Sequence, residues 1–295
     1  MDILIKSNYD DTMNTIYEQL VAKIAKRWIA GVELDDAIMA CKEANSIGLH
    51  GIINYLGEDI LDRDIVKGAV KEYKSILDAI EEERLDCSIS LKSTQIGLAI
   101  DEVECRNNLK EILEYASSYR KFIWIDMESS KYLEKVVNMY IEVRRSYENV
   151  GIALQSYIRD APIYLAQLLD ANAIIRLTKG AYREDASIVF KSKDMIDRNY
   201  IKLMEFLFKN SNDNFAIATH DPKIIELAEN LSKMYRCKFE FQMLRGIRDD
   251  LKKILVGKGY AVGEYIPYGG KALEYSIRRI KEHPTNIFLL IRSIV

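Results

Sequence analysis

The sequence is poor in the residues that usually announce a site. Its four cysteines, Cys41, Cys87, Cys105 and Cys237, lie far apart and form no Cys-x-x-Cys unit. That spacing excludes a disulfide frame or a zinc knuckle and fits reduced thiols in a cytoplasmic protein. The three histidines, His50, His220 and His283, show no metal-ligand spacing either. With only four prolines and no Gly/Ser-rich stretch, the chain has no flexible domain joint. It has no glycine-rich dinucleotide turn and no P-loop, so the two commonest phosphate cradles are missing. No Ser-His-Asp or Cys-His arrangement can be read from spacing. The one long apolar run, "APIYLAQLLDANAIIRL", is broken by Asp170, which argues against a membrane span. The start, "MDILIKSNYDDTMN", is too polar for a signal peptide. A net charge of −3 is too small to suggest nucleic acid or general attraction to an anionic bilayer.

What the chain does have is rhythm. Eight strand-like runs recur, at 49–57, 87–93, 121–127, 150–157, 173–180, 215–220, 238–244 and 260–269. Charged, helix-periodic segments separate most of them, such as "DRDIVKGAVKEYKSILDAIEEE" and "SKYLEKVVNMYIEVRRSYEN". Strand and helix in alternation imply parallel strands joined by crossover helices. Eight units in this length fit an α/β fold of the closed (β/α)8 barrel type, with an open doubly wound sheet as the alternative. Residues 1–48 read as a helical segment, and 49–295 as the barrel.

Strand alternation then sorts the polar residues. Ser88, Ser90 and Lys92 share one face, as do Phe122, Trp124 and Asp126. Lys92 and Asp126 therefore end neighbouring strands and can both face the barrel mouth, as a structural ion pair or as part of a site. Gln155 ends the fourth strand. Arg176, Lys179, Gly180 and Ala181 surround the end of the fifth, and Thr219 and His220 end the sixth. Glu240 and Gln242 alternate on one face of the seventh, and Tyr265 ends the eighth. Near the C-terminus, "EYSIRRIKEH" sets Arg278 and Arg279 on a helix side shared with Tyr275 and Glu282. A polar residue at nearly every strand end, with cations in excess, points to a barrel enzyme with an anionic small ligand. A Schiff-base aldolase using Lys92 or Lys179 and a non-catalytic binding barrel are the rival readings.

Six stretches carry a resemblance. "SLKSTQIG" (90–97), "IDME" (125–128), "RLTKGAYRE" (176–184), "ATHD" (218–221), "FEFQMLRG" (239–246) and "EYIPYGGKALEYSIRRIKEHPTN" (264–286) resemble proline dehydrogenase in order, spacing and strand placement. The length, and Arg183 after "KGAY", resemble the short monofunctional bacterial branch. The resemblance implies a distorted barrel holding FAD at its C-terminal rim, with the last helix over the mouth. It implies oxidation of L-proline to Δ1-pyrroline-5-carboxylate by hydride transfer to the flavin, with electrons passed to a quinone. Asp126 and Arg176 are then the catalytic residues, with Arg176 beside the flavin N5. Lys92, paired with Asp126, flanks the substrate ring. Tyr265, Tyr275 and Leu244 wall that ring, and Arg278 and Arg279 clamp its carboxylate with Glu282 in support. Met127, Gln155, Arg176, Lys179, Gly180, Ala181, Thr219 and His220 contact the cofactor, with Lys179 on the pyrophosphate. A separate pyrroline-5-carboxylate dehydrogenase and a peripheral contact at the inner face of the cell membrane are further implied partners. Thr178 and Arg245 depart from the commonest pattern, and Arg245 adds a charge near the cofactor side.

Overall fold

The computed structural model describes residues 27–211 and 214–270. Helix α1 (Leu34–Ser46) leads into strand β1 (His50–Tyr55). There follow α2 (Arg63–Glu82), β2 (Cys87–Lys92), α3 (Glu102–Ser118), β3 (Ile123–Asp126), α4 (Ser130–Arg144) and β4 (Val150–Gln155). The remainder is α5 (Ala161–Asp170), β5 (Ile174–Thr178), α6 (Lys193–Asn210), β6 (Phe215–Ala218), α7 (Pro222–Tyr235), β7 (Phe239–Leu244), α8 (Asp249–Gly257) and β8 (Ala261–Tyr268). Every neighbouring strand pair is parallel, and β1 pairs with β8, so the sheet closes into a barrel. The doubly wound alternative is thereby excluded.

All eight expected strands are present, shorter by a few residues at most ends. The residues trimmed at the C-terminal ends, such as Lys179, Gly180, Thr219 and His220, leave the ladder and form the rim. Helix starts are set by side-chain caps. Asp62 accepts from the backbone N–H groups of Asp64 and Ile65, Asp101 from Glu104, and Asp221 from Lys223 with Pro222 following. Each cap satisfies donors that the first helical turn leaves open.

The main core lies between strands and helices, where Ile53, Ile89, Ile125, Ile152, Ile175 and Ile217 are fully buried. Ala37, Cys41 and Ala44 of α1 join this layer, so α1 packs on the barrel wall. The approach is close because Gly51 has no side chain: a Cβ there would lie 2.3 Å from the Cys41 sulfur. The lumen is different. Its apolar content is a small cluster of Ile52, Trp124 and Ala216. Ser88, Ser90, Arg176 and Gln242 are buried beside it. A barrel that needed only stability would fill this space with branched apolar residues. Among the described residues, no helix is long and apolar enough to cross a membrane.

Candidate active site

Parallel register places the expected residues at one end. Lys92 stands opposite Asp126, Gln155 opposite Thr178, and Leu244 opposite Tyr265. The centre of the site is Arg176, whose strand neighbours are the small residues Ala153 and Ala216. They leave room for its guanidinium to lie over the Trp124 ring, 4.5 Å from the centroid. Such a stack is a favourable cation–π contact when desolvated.

Arg176 is 3% exposed, and its hydrogen bonds explain how a buried charge is tolerated. Nη1 donates to Asp126 Oδ1 at 2.7 Å and to Ser90 Oγ at 2.9 Å. Nε donates to Gln242 Oε1 at 2.5 Å. Burial pushes the guanidinium pKa down, and the negative charge of Asp126 pushes back. Nη2 has no partner among the described residues although it is buried. An unmet buried donor costs about 1–3 kcal/mol. It is therefore the atom best placed to receive a ligand acceptor.

Asp126 is the second hub. Besides Arg176 it accepts from Ser90 Oγ at 2.8 Å and, through Oδ2, from the Tyr265 hydroxyl at 2.5 Å. The expected pairing of Lys92 with Asp126 is corrected here. Lys92 Nζ lies 3.2 Å from Glu58 Oε2, while the carboxylate of Asp126 faces Arg176. Adjacent register made the first pairing plausible, but the guanidinium reaches Asp126 from β5, across β4, while stacked on Trp124 of β3. Tyr182 also donates to Glu58, at 3.0 Å, linking the loop after β5 to the loop after β1.

The other rim residues divide by what holds them. Gln155 is buried and donates to the Met127 carbonyl at 2.8 Å, leaving its own Oε1 buried without a partner among the described residues. Gly180 has φ +105°, and a Cβ there would lie 2.2 Å from the Tyr157 ring, so the strand tip requires glycine. Thr219 is buried and accepts from the Asp221 N–H. His220 Nε2 accepts from the Leu244 N–H at 2.8 Å, which places the proton of a neutral ring on Nδ1. Ala181 follows Gly180 in the same loop. Lys179 is held by Asp197 at 2.5 Å and Asp221 at 3.3 Å, with Lys193 beside them. Burial alone would raise the pKa of Asp197, but hydrogen bonds from Lys179 and Lys193 bring it below the usual carboxylate value. Lys179 therefore comes to any phosphate already neutralised.

Arg245 bonds Glu43 of α1 at 2.8 Å and Glu264 of β8 at 3.4 Å, tying helix to strand. The residues Tyr275, Arg278, Arg279 and Glu282 lie outside the described residues. Glu58, Tyr182, Asp197 and Asp221 were not singled out from the sequence. Their signal was a charged or phenolic group just beyond a strand tip, or across a helix start, and it is weak without the fold.

A closed parallel barrel with a buried, carboxylate-paired arginine at its C-terminal mouth is of the (β/α)8 type, the fold whose enzymes carry their active sites at that end. The proline dehydrogenase family model matches residues 37–287. The chain belongs to the proline dehydrogenase family, a family of oxidoreductases. Proline dehydrogenase 1 of Bacillus subtilis subsp. natto is 34% identical over 274 residues, covering 92% of this chain and 90% of the relative. Proline dehydrogenase of Deinococcus radiodurans is 31% identical over 288 residues, covering 94% and 92%. Among solved structures, proline utilization A from Bdellovibrio bacteriovorus, inactivated by N-propargylglycine, superposes with a TM-score of 0.85 at 21% identity. That similarity covers 94% of this chain and 34% of the solved one, so this chain spans about a third of it and shares its barrel fold.

Proposed function

We propose that the chain oxidises L-proline to Δ1-pyrroline-5-carboxylate with FAD as hydride acceptor, and that a quinone then takes the electrons. The observation that carries this reading is Arg176: buried, stacked on Trp124, fixed on two sides, and left with one unmet donor. An isoalloxazine edge offers acceptors for that donor, and its ring N–H suits the Oε1 of Gln155, which has no partner among the described residues. The donor set therefore fits a flavin. When bound, FAD supplies the electron sink for the hydride leaving the ring carbon next to the proline nitrogen.

The chain's own residues do the positioning. Arg176 holds positive charge where negative charge accumulates during reduction. Asp126 keeps Arg176 charged and fixes the Tyr265 hydroxyl, so the phenol ring has one orientation. Lys92 and Leu244 line the substrate side, and Tyr275 completes the wall. Arg278 and Arg279, supported by Glu282, clamp the proline carboxylate with planar paired donors. Met127, Gln155, Gly180, Ala181, Thr219 and His220 bound the cofactor. Lys179 faces its pyrophosphate as part of an ion cluster with Asp197 and Asp221. The aldolase reading loses ground, because a Schiff-base lysine acts as a neutral amine. Lys92 and Lys179 are both held in ion pairs.

The division into a helical segment, 1–48, and a catalytic barrel, 49–295, is kept as part of this proposal; residues 1–26 and 271–295 lie outside the described residues. The enzyme works in the cytoplasm with peripheral contact at the membrane that holds the quinone. A pyrroline-5-carboxylate dehydrogenase is the class of enzyme that would consume its product. A visible spectrum tests the central reading. The purified protein should be yellow and should bleach on adding L-proline without air. A colourless protein that cannot be loaded with FAD, or a yellow one indifferent to proline, overturns it.

A further inference from the structure

The lower lumen carries two polar residues that the reaction has not used, Glu240 and Gln242. Gln242 Nε2 donates to Glu240 Oε2 at 2.5 Å, and Gln242 Oε1 accepts from Arg176 Nε at 2.5 Å. A carboxylate only accepts and a guanidinium only donates, so both neighbours demand the same orientation of the amide. Gln242 is 3% exposed and cannot exchange these partners for water. The neighbouring strand β8 is cut away for the carboxylate. Gly263 stands beside Gln242 in register, and a Cβ there would come within 3.1 Å of Glu240 Oε1 and 2.8 Å of Ile52. On its other side Arg176 is held through Nη1 by Asp126 and Ser90. With Nε and Nη1 both fixed, Nη2 is the only guanidinium nitrogen left open among the described residues.

We infer that Glu240 is a positioning residue for this reaction: by locking the Gln242 amide it aims Arg176, so that Nη2 presents its hydrogens to the bound flavin. This rests on the reading that Arg176 lies against the flavin. Glu240 touches neither substrate nor cofactor and acts through Gln242. Without its charge the amide can turn, setting its NH2 against the N–H of Arg176. The guanidinium then loses its acceptor and slides on the Trp124 ring.

Four variants test this: Glu240→Gln, Gln242→Leu, the exchange Glu240→Gln with Gln242→Glu, and Arg176→Lys. Trp124 is one of two tryptophans, so a Trp28→Phe background makes it the sole tryptophan, excited selectively at the red edge beyond tyrosine absorption. Flavin-free Glu240→Gln should show altered Trp124 emission. The loaded variant should keep its flavin content but reduce about tenfold more slowly at saturating proline, the scale of one lost charge-assisted hydrogen bond. Gln242→Leu should behave likewise. The exchange variant should recover to within about threefold, since the relocated carboxylate accepts again from Arg176. A packing role alone would lower the melting temperature and leave emission and reduction rate unchanged. That result, with Arg176→Lys slow, overturns the inference and leaves the Arg176 assignment standing. Normal reduction by Arg176→Lys overturns both.

Discussion

Replacing Asp126 with asparagine removes a charge while keeping nearly the same shape. The partner it abandons is deep: the Arg176 side chain is 3% exposed and that of Asp126 is 15% exposed, with 2.7 Å between them. Breaking a buried pair from one side costs about 3–5 kcal/mol, because the remaining ion has neither water nor a counter-charge. Asparagine still offers Oδ1 to Arg176 and Ser90, so the loss should sit at the low end, about 3 kcal/mol. For a chain of this size each kcal/mol moves the melting temperature by roughly 2–4 °C, so a drop of roughly 6–12 °C is expected. The double variant Asp126→Leu with Arg176→Met should recover most of that drop, since an apolar pair of similar volume is often as stable as an ion pair. It should nevertheless show no proline-dependent bleaching. Thermal melts of the flavin-free proteins, followed by anaerobic reduction of the loaded ones, separate the two effects. If Asp126→Asn melts within about 2 °C of the parent and reduces at its rate, the pair is not the buried, charge-dependent hub described here.

Arg278→Lys and Arg279→Lys should each raise the KM for proline by the loss of about 1.5–3 kcal/mol of charge-assisted bonding, with flavin content kept; normal KM values in both would remove the clamp. At the barrel base, burial tends to lower the pKa of His50, but the hydrogen bond to Asp86 and the charge of Glu240 leave it raised. Its contribution to stability is therefore complete below about pH 6.5 and fades as pH rises through the higher folded value. The bond from His50 likewise depresses Asp86, so that contribution is present above about pH 3.9 and is lost as pH falls through the lower folded value. His50→Gln should consequently narrow the difference in melting temperature between about pH 5.5 and about pH 8.5, two conditions that bracket the transition; an unchanged difference would mean the pair is not coupled to folding. Gly180→Ala should destabilise by at least about 1–3 kcal/mol, because φ is +105° and the new methyl meets Tyr157; a parental melting curve would refute that close packing.

Much of this architecture was legible along the chain. Alternation with a period of two set Lys92, Asp126, Arg176 and Gln242 on lumen-facing positions, because that pattern is local to each strand. The eight repeats fitted a closed barrel but left a doubly wound sheet open as the alternative, which the pairing of β1 with β8 excluded. Partner choice was another matter. Lys92 and Asp126 are register neighbours, yet Asp126 bonds Arg176 and Lys92 bonds Glu58. Nor did local pattern show that Arg245 would brace α1 against β8.

What the amino-acid order determined by itself was which residues would face the lumen and at which end, since one strand's geometry decides both. Which of those side chains would touch was decided only by the closed barrel. Contacts across a lumen depend on how far each strand is staggered and on which small residues, Ala153, Ala216 and Gly263, leave space for a large neighbour. Those are distances between segments remote in sequence, and no local period encodes them.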